Sequence, residues 1–146
     1  MVALLDVNML VAMSWPTHVQ HRLARGWFSV NSAQGWGTCP FTQCGFVRLS
    51  SNPVILEEPV TPKEALAALS EVVARPEHIF WPDDFGLLDP KVPTKHLSGH
   101  KQVTDVYLLG LAIRQNARLV TMDKNVPDLL PLNSKLRKHV FVVKEG

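Results

Sequence analysis

The chain has 146 residues, 46% of them hydrophobic and 19% charged, with a formal net charge of +2. These values suit one ordinary globular domain with enough apolar side chain for a core, and the charge falls well short of the polybasic signature that by itself announces nucleic acid. No run approaches the roughly 20 apolar residues of a membrane span, and Met1-Val2-Ala3-Leu4-Leu5 lacks the positive start and long apolar region of a signal peptide. The sequence therefore predicts a cytoplasmic protein without a membrane partner.

The first segment, Val2 to Val7, is a short apolar run of the kind that forms a central strand buried on both faces. Met9 to Met13 can begin a short helix, which Trp15-Pro16 stops because proline cannot continue the hydrogen-bond ladder. A second helix is predicted from Thr17 as N-cap, with Val19, Leu23, Trp27 and Val30 as its apolar stripe. Trp36 to Cys39 reads as a short strand and Phe41 to Leu49 as a helix, with Gln43 in its first turns, until Ser50-Ser51-Asn52-Pro53 breaks it. The two cysteines, Cys39 and Cys44, match neither a CxxC redox pair nor a zinc ligand set and read as reduced, partly buried thiols. The six histidines are scattered, and Gly99 interrupts the His96/His100 pair, so no structural zinc site is predicted.

Thr61-Pro62-Lys63-Glu64 combines an N-cap, a proline at the first helical position and a capping-box glutamate. It opens a helix with Leu66, Leu69 and Val73 as its buried stripe, closed by Arg75-Pro76. Ile79-Phe80-Trp81 is a minimal strand, and Pro82 to Gly99, rich in Pro, Asp, Gly and Lys, is a long surface connection of the kind that often carries function. Val103 to Asn116 is apolar almost all round and should be the most buried helix, with Thr104 or His100 placed to cap it. Arg118 to Met122 is the next strand, followed by a turn at Asp123-Lys124-Asn125 and a last strand at Val140 to Val143. Strands alternating with helices predict an α/β fold, a parallel sheet with helices on both faces, in one domain spanning residues 1–146.

On that frame three aspartates stand where apolar elements end: Asp6 after Leu4-Leu5, Asp105 in the first turn of the greasy helix, and Asp123 after Val120-Thr121-Met122. Ligands of such sheets bind beyond the carboxyl ends of the strands, and Asp6 and Asp123 both fall on that edge. Three carboxylates brought together repel, each pair at ~4 Å opposing the fold by about 4 kcal/mol with an effective dielectric near 20. A hard divalent cation such as Mg²⁺, which prefers carboxylate and water oxygens, removes that penalty. The alternative for any single Asp is a helix cap or a turn.

Four blocks of residues, in this order, resemble PIN-domain ribonucleases, specifically the VapC type of toxin from bacterial toxin–antitoxin pairs. They are Leu5-Asp6-Val7-Asn8, the stretch from Thr38 to Arg48, the stretch from His100 to Leu109, and Leu119-Val120-Thr121-Met122-Asp123. The resemblance implies a three-layer α/β/α fold around a central parallel sheet, a Mg²⁺ or Mn²⁺ site, RNA cleavage leaving a 5′-phosphate and a 3′-hydroxyl, and a small antitoxin protein as partner. Asp6, Asp105 and Asp123 match the family's metal-binding acids, Asn8 the polar residue two positions after the first acid, and Gln43 the position where a fourth acid is common. An amide there keeps an acceptor oxygen but brings no charge. Asn8, Gln43 and Thr121 are read as groups that orient substrate or ligands.

Other candidates carry two readings each. His100 could touch phosphate or cap the buried helix, and Arg48 could approach RNA or form an internal ion pair. Lys95, Lys101 and Lys124 could contact phosphate or form a solvated face, while Lys135, Arg137 and Lys138 read as surface. Trp27 reads as core, and Trp15 or Trp36 as an anchor of a homodimer. Two rivals to a cutting enzyme are a degenerate PIN domain that binds RNA or antitoxin without cleavage, and a phosphotransferase using Asp6 as nucleophile. The second is disfavoured because Asn8 stands where such enzymes usually carry another acid.

Overall fold

The computed structural model describes residues 1–145. Five strands, β1 (Ala3–Leu5), β2 (Trp36–Thr38), β3 (His78–Phe80), β4 (Arg118–Thr121) and β5 (Val140–Val142), form one sheet in the order β3-β2-β1-β4-β5. Every pairing is parallel. Five helices connect them: α1 (Val7–Ser14), α2 (His21–Asn31), α3 (Pro40–Ser50), α4 (Pro62–Val73) and α5 (Val103–Arg114). Among the described residues no helix is long and apolar enough to cross a membrane.

The central strand shows why the sheet needs helices on both sides. All of β1 is buried, and its side chains alternate between faces. Ala3 and Leu5 join a core with α1, α2, α3 and α4, whereas Leu4 joins another with α5. Both cores are apolar, which gives the three-layer α/β/α arrangement predicted for the chain. Two glycines permit its close approaches. A Cβ on Gly37 in β2 would lie 2.4 Å from the Trp81 ring, and one on Gly45 in α3 would lie 2.7 Å from a Val7 methyl on α1.

Helix α4 begins as its sequence directs: the Glu64 amide donates to the Thr61 hydroxyl, and the Glu64 carboxylate accepts from the Thr61 amide. Helix α5 buries Val106, Leu108, Leu109, Leu111 and Ala112, and Asn116 just past its end takes a left-handed φ of 50°. Trp15, closing α1, is extended at φ −114° and ψ 115°, the conformation a following proline imposes.

Several local expectations are corrected. Thr17 caps nothing: α2 starts at His21 after a run of turns, and its N-cap Gln20 makes no side-chain cap bond. Its fully buried positions are Ala24 and Phe28, leaving Val19 96% and Val30 77% exposed. Leu23 and Trp27, the other two residues of the expected stripe, pack partly buried against the same core, so the inward face runs through Leu23, Ala24, Trp27 and Phe28. On α4 the buried positions are Ala65 and Leu69, and Leu66 faces out. Neither Thr104 nor His100 caps α5; instead the Gln102 side chain accepts from the Ser98 and Gly99 amides ahead of it. Trp36 is wholly buried and edge-on to Phe28, which removes it as a dimer anchor. Trp15 packs on Phe46, and its indole donates to Ser50. Cys39 is buried and Cys44 exposed, both free.

The connection from Trp81 to Gly99 contains no helix or strand, as expected, yet it is pinned rather than draped over the surface. Trp81 and Val92 sit in the α5-side core, and Arg114 pairs with Asp84 at 3.3 Å and Asp89 at 3.7 Å.

Candidate active site

The carboxyl edge of the sheet is assembled by register. Leu5 pairs with Val120, so the residues that follow them, Asp6 and Thr121, emerge side by side, and the Asp6 amide continues the ladder by donating to the Val120 carbonyl. Asp6 is also the N-cap of α1, where its carboxylate accepts from the Met9 amide at 2.7 Å. Capping is thus part of its role. It is not the whole account, because Asp6 is only 6% exposed and forms no ion pair among the described residues.

Asp123, two residues past β4, is exposed and held by a turn: its amide donates to the Thr121 hydroxyl at 3.0 Å, and its carboxylate accepts from the Asn125 amide at 2.9 Å. Thr121 is fully buried between the two acids. Asp105 arrives from the other layer, half-buried in the first turn of α5.

The three charges act on one another. Burial raises the Asp6 carboxyl, the Thr121 hydroxyl and the Met9 amide oppose that, and the charge of Asp123 adds to it, leaving the group at about 6. Asp105 is likewise pushed up to about 6, by burial first and then by the charges of Asp6 and Asp123. Keeping Asp6 ionised in this place costs about 3 kcal/mol relative to water. Among the described residues the ion pairs are those of Arg114, and none involves these acids.

Two cavities meet at Asp105. One, of about 160 Å³, is lined by Asp6, Asn8, Arg48, Thr104 and Asp105, and the other, of about 350 Å³, by Lys101, Asp105, Asp123 and Asp128. The structure therefore brings Asp6, Asn8 and Asp105 to one space and Asp105 with Asp123 to the next. Among the described residues no three His, Cys, Asp or Glu side chains converge tightly enough to enclose an ion as they stand. The donor set nevertheless fits a hard divalent cation: carboxylates near a neutral amide and a hydroxyl, with negative charge that no ion pair among the described residues neutralises.

Gln43 goes elsewhere. Its amide nitrogen donates to the Thr38 hydroxyl at 3.0 Å, and its side chain lines a groove between α3 and α4 with Cys44, Val47 and Leu66. Arg48 forms no internal ion pair; it is exposed, and it lines both that groove and the Asp6 cavity. Lys101 reaches the Asp123 cavity, while Lys95 and Lys124 are exposed and line none of these cavities. His100 is exposed, and Arg137 is occupied by the carbonyls of Leu130 and Pro131. Asp128 was not foreseen, because it stands in a 3₁₀ turn with no apolar run to mark it.

No protein-family model matches the chain. Curated relatives do. It is 43% identical to Ribonuclease VapC39 of Mycobacterium tuberculosis over 129 residues, covering 88% of this chain and 93% of that protein. It is 46% identical to Ribonuclease VapC38 over 125 residues, covering 86% and 87%, and 40% identical to Ribonuclease VapC44 over 127 residues, covering 86% and 89%, both from the same species. A parallel α/β/α sheet with acids on its carboxyl edge, joined to identity of this order over most of both chains, shows that the chain belongs to the VapC ribonuclease family.

Proposed function

We propose that the protein, one PIN-like domain over residues 1–146, is a divalent-metal-dependent endoribonuclease and the toxin of a toxin–antitoxin pair. The observation that carries this reading is the buried Asp6 carboxyl, raised to about 6 near Asp105 and Asp123, with no ion pair to any of the three among the described residues. Asp6 and Asp105 would be the principal holders of a Mg²⁺ or Mn²⁺ ion, with Asp123 as a further ligand. When bound, such an ion would supply Lewis-acid chemistry, lowering the pKa of a water and offsetting charge on the phosphoryl oxygens.

The chain's own groups supply the positioning. Thr121 sits between Asp6 and the Asp123 amide and holds both in register, and the Met9 amide fixes one Asp6 oxygen. Asn8 and Arg48, at the mouth of the Asp6 cavity, offer an amide donor and a guanidinium to a phosphodiester, while Lys101 offers an ammonium on the Asp123 side. Hydrolysis by this arrangement leaves a 5′-phosphate and a 3′-hydroxyl. Structured RNA incubated with Mn²⁺ should be cut by the wild type and not by Asp6→Ala; equal cutting by both would remove the claim.

A second reading, a PIN domain that binds RNA or antitoxin without cutting, draws on Gln43, which has no charge and is tied to Thr38 outside the acid cavities. Binding without any cleavage by the wild type would select it. The site of action is taken to be the cytoplasm, in keeping with two free thiols. The reading also includes a homodimer, whose contact must use side chains other than Trp36, and light scattering that found a monomer at every concentration would remove it.

A further inference from the structure

Beside the acid cavity lies a larger, predominantly apolar one of about 360 Å³, within the size range of small-ligand sites. Its walls come from three elements that are remote in sequence: Phe41 from α3, Phe85 and Leu87 from the 81–99 connection, and Val103, Thr104 and Tyr107 from α5. Phe85 stacks on Tyr107 at 5.0 Å between centroids, and Phe41 lies tilted to Tyr107 at 6.2 Å. Leu87 and Val103 remain 40% and 36% exposed around the opening. Asp83 clasps the walls together, accepting from the Phe41 amide with one oxygen and from the Tyr107 hydroxyl with the other.

Phe41 and Thr104 line this cavity and the Asp6–Asp105 cavity alike, so an occupant of one is a direct neighbour of the other. We propose that the aromatic cavity receives one unstacked base of the RNA substrate next to the bond that is cut, an inference that rests on the ribonuclease reading. Carboxylates on the rim cannot attract a phosphate backbone by themselves. A nucleobase presents neutral faces to which aromatic rings bind irrespective of base identity, and single-stranded RNA is recognised by splaying out such bases. Asp83 is then a positioning residue that fixes Phe41 and Tyr107 relative to each other at the wall of the site.

The test uses Phe85→Leu, which keeps apolar volume and removes the ring, and Phe85→Trp, which restores one. Asp84 and Asp89, which tie the connection to Arg114, are kept in both, and Phe85→Trp also restores a ring for the Arg114 guanidinium that lies 5.2 Å from the Phe85 centroid. Binding of short single-stranded oligoribonucleotides, intact or with one abasic position, is measured by fluorescence anisotropy in an Asp6→Asn background. We expect Phe85→Leu to lose roughly 10-fold in affinity for intact RNA, the lower to middle range of one base–aromatic stack. Removing one base should cost the Asp6→Asn protein about as much. It should cost Phe85→Leu nothing further, and Phe85→Trp should behave as the parent. Losses that add, or equal affinity of Phe85→Leu and its parent, would overturn the proposal, the latter leaving the cavity to a side chain of a partner protein. A parent that binds none of the oligonucleotides overturns it too. A wild type that binds through this cavity but cuts nothing overturns the ribonuclease reading alone.

Discussion

Two carboxylates stand beyond strand ends on the same edge of the sheet and do opposite things. Asp83, past β3, is exposed, and both of its oxygens accept hydrogen bonds that join α3 and α5 to the long connection. Asp6, past β1, is buried, and burial with the neighbouring charge of Asp123 drives its carboxyl up to about 6 despite the Met9 and Thr121 contacts. Position on the rim is therefore not what makes an acid a candidate ligand. Asp83 returns its charge to the fold as hydrogen bonds, whereas Asp6 keeps charge that the protein alone does not neutralise, and that surplus is what a cation can use.

The largest expected effect separates them outright. Asp6→Asn keeps the N-cap, since Asn caps as well as Asp, and removes the charge. We expect Mn²⁺-dependent RNA cleavage to fall by at least about 100-fold, the upper end even for groups one step removed from a metal. The cation-free variant should meanwhile gain up to about 3 kcal/mol of stability at pH 7.5. Urea denaturation in chelator checks the gain. A variant that lost activity and stability together would mark Asp6 as a structural acid like Asp83.

Acidity sharpens the same contrast. The Asp6 carboxyl goes from the ordinary 3.8 unfolded to about 6 folded, so between those values the folded state binds more protons. Its contribution is fully present below pH 4 and is lost as pH rises through about 6, amounting to about 3 kcal/mol. Asp105 shifts in the same direction, with a smaller effect because it is half-exposed. About 2 of those 3 kcal/mol fall between pH 4.5 and pH 7.5, so without divalent cation melting should occur roughly 6 °C lower at pH 7.5 than at pH 4.5, other groups being equal. Saturating Mn²⁺ should recover most of that at pH 7.5 and little at pH 4.5. Asp6→Asn should flatten both responses; an unchanged pH response in that variant would place the burden on other groups.

A smaller change is expected at the other carboxylate. Asp83→Ala removes two hydrogen bonds to an exposed carboxylate and should cost about 1 kcal/mol at pH 7.5. The Mn²⁺-induced rise in melting temperature should survive it. Loss of that rise would mean that the clasp also shapes the acid cavity.

What sequence could show follows from how local each feature is. The start of α4 is written in four adjacent residues, Thr61 to Glu64, and the burial of α5 in its all-round apolarity, so both were legible. The central strand and the two rim acids after β1 and β4 followed from apolar runs ending in Asp. Which face of α2 turns inward is decided by the elements it packs on, as Phe28 on Trp36 of β2, so counting large apolar residues marks Leu23 and Trp27 correctly and Val19 and Val30 wrongly. The burial of Trp36 depends on Phe28 and His78 from other elements. The aromatic cavity is made by Phe41, Phe85 and Tyr107, which have no common spacing, and only the fold collects them.

Gln43 is a third group on this edge, and the smallest expected effect concerns it. Its amide donates to the Thr38 hydroxyl, which lies 2.7 Å from His78 Nε2. A hydroxyl has one proton and two lone pairs, so while it accepts from Gln43 Thr38 is free to donate to His78, and it does so when Nε2 is bare. Burial of His78, which lowers its pKa, favours that neutral ring. Glutamate at position 43 has no donor when ionised, so the chain must reverse: Thr38 donates to the carboxylate and accepts from a protonated Nε2. Gln43→Glu should thus raise the His78 pKa and move its proton to Nε2, both visible in imidazole ¹⁵N shifts. Cleavage should change by only a few-fold, because the new charge is held by Thr38 and His78 as Asp83 is held by its donors. A large gain in Mn²⁺ affinity, with His78 unmoved, would instead show that an acid at this position swings into the Asp6 cavity and behaves as Asp6 does.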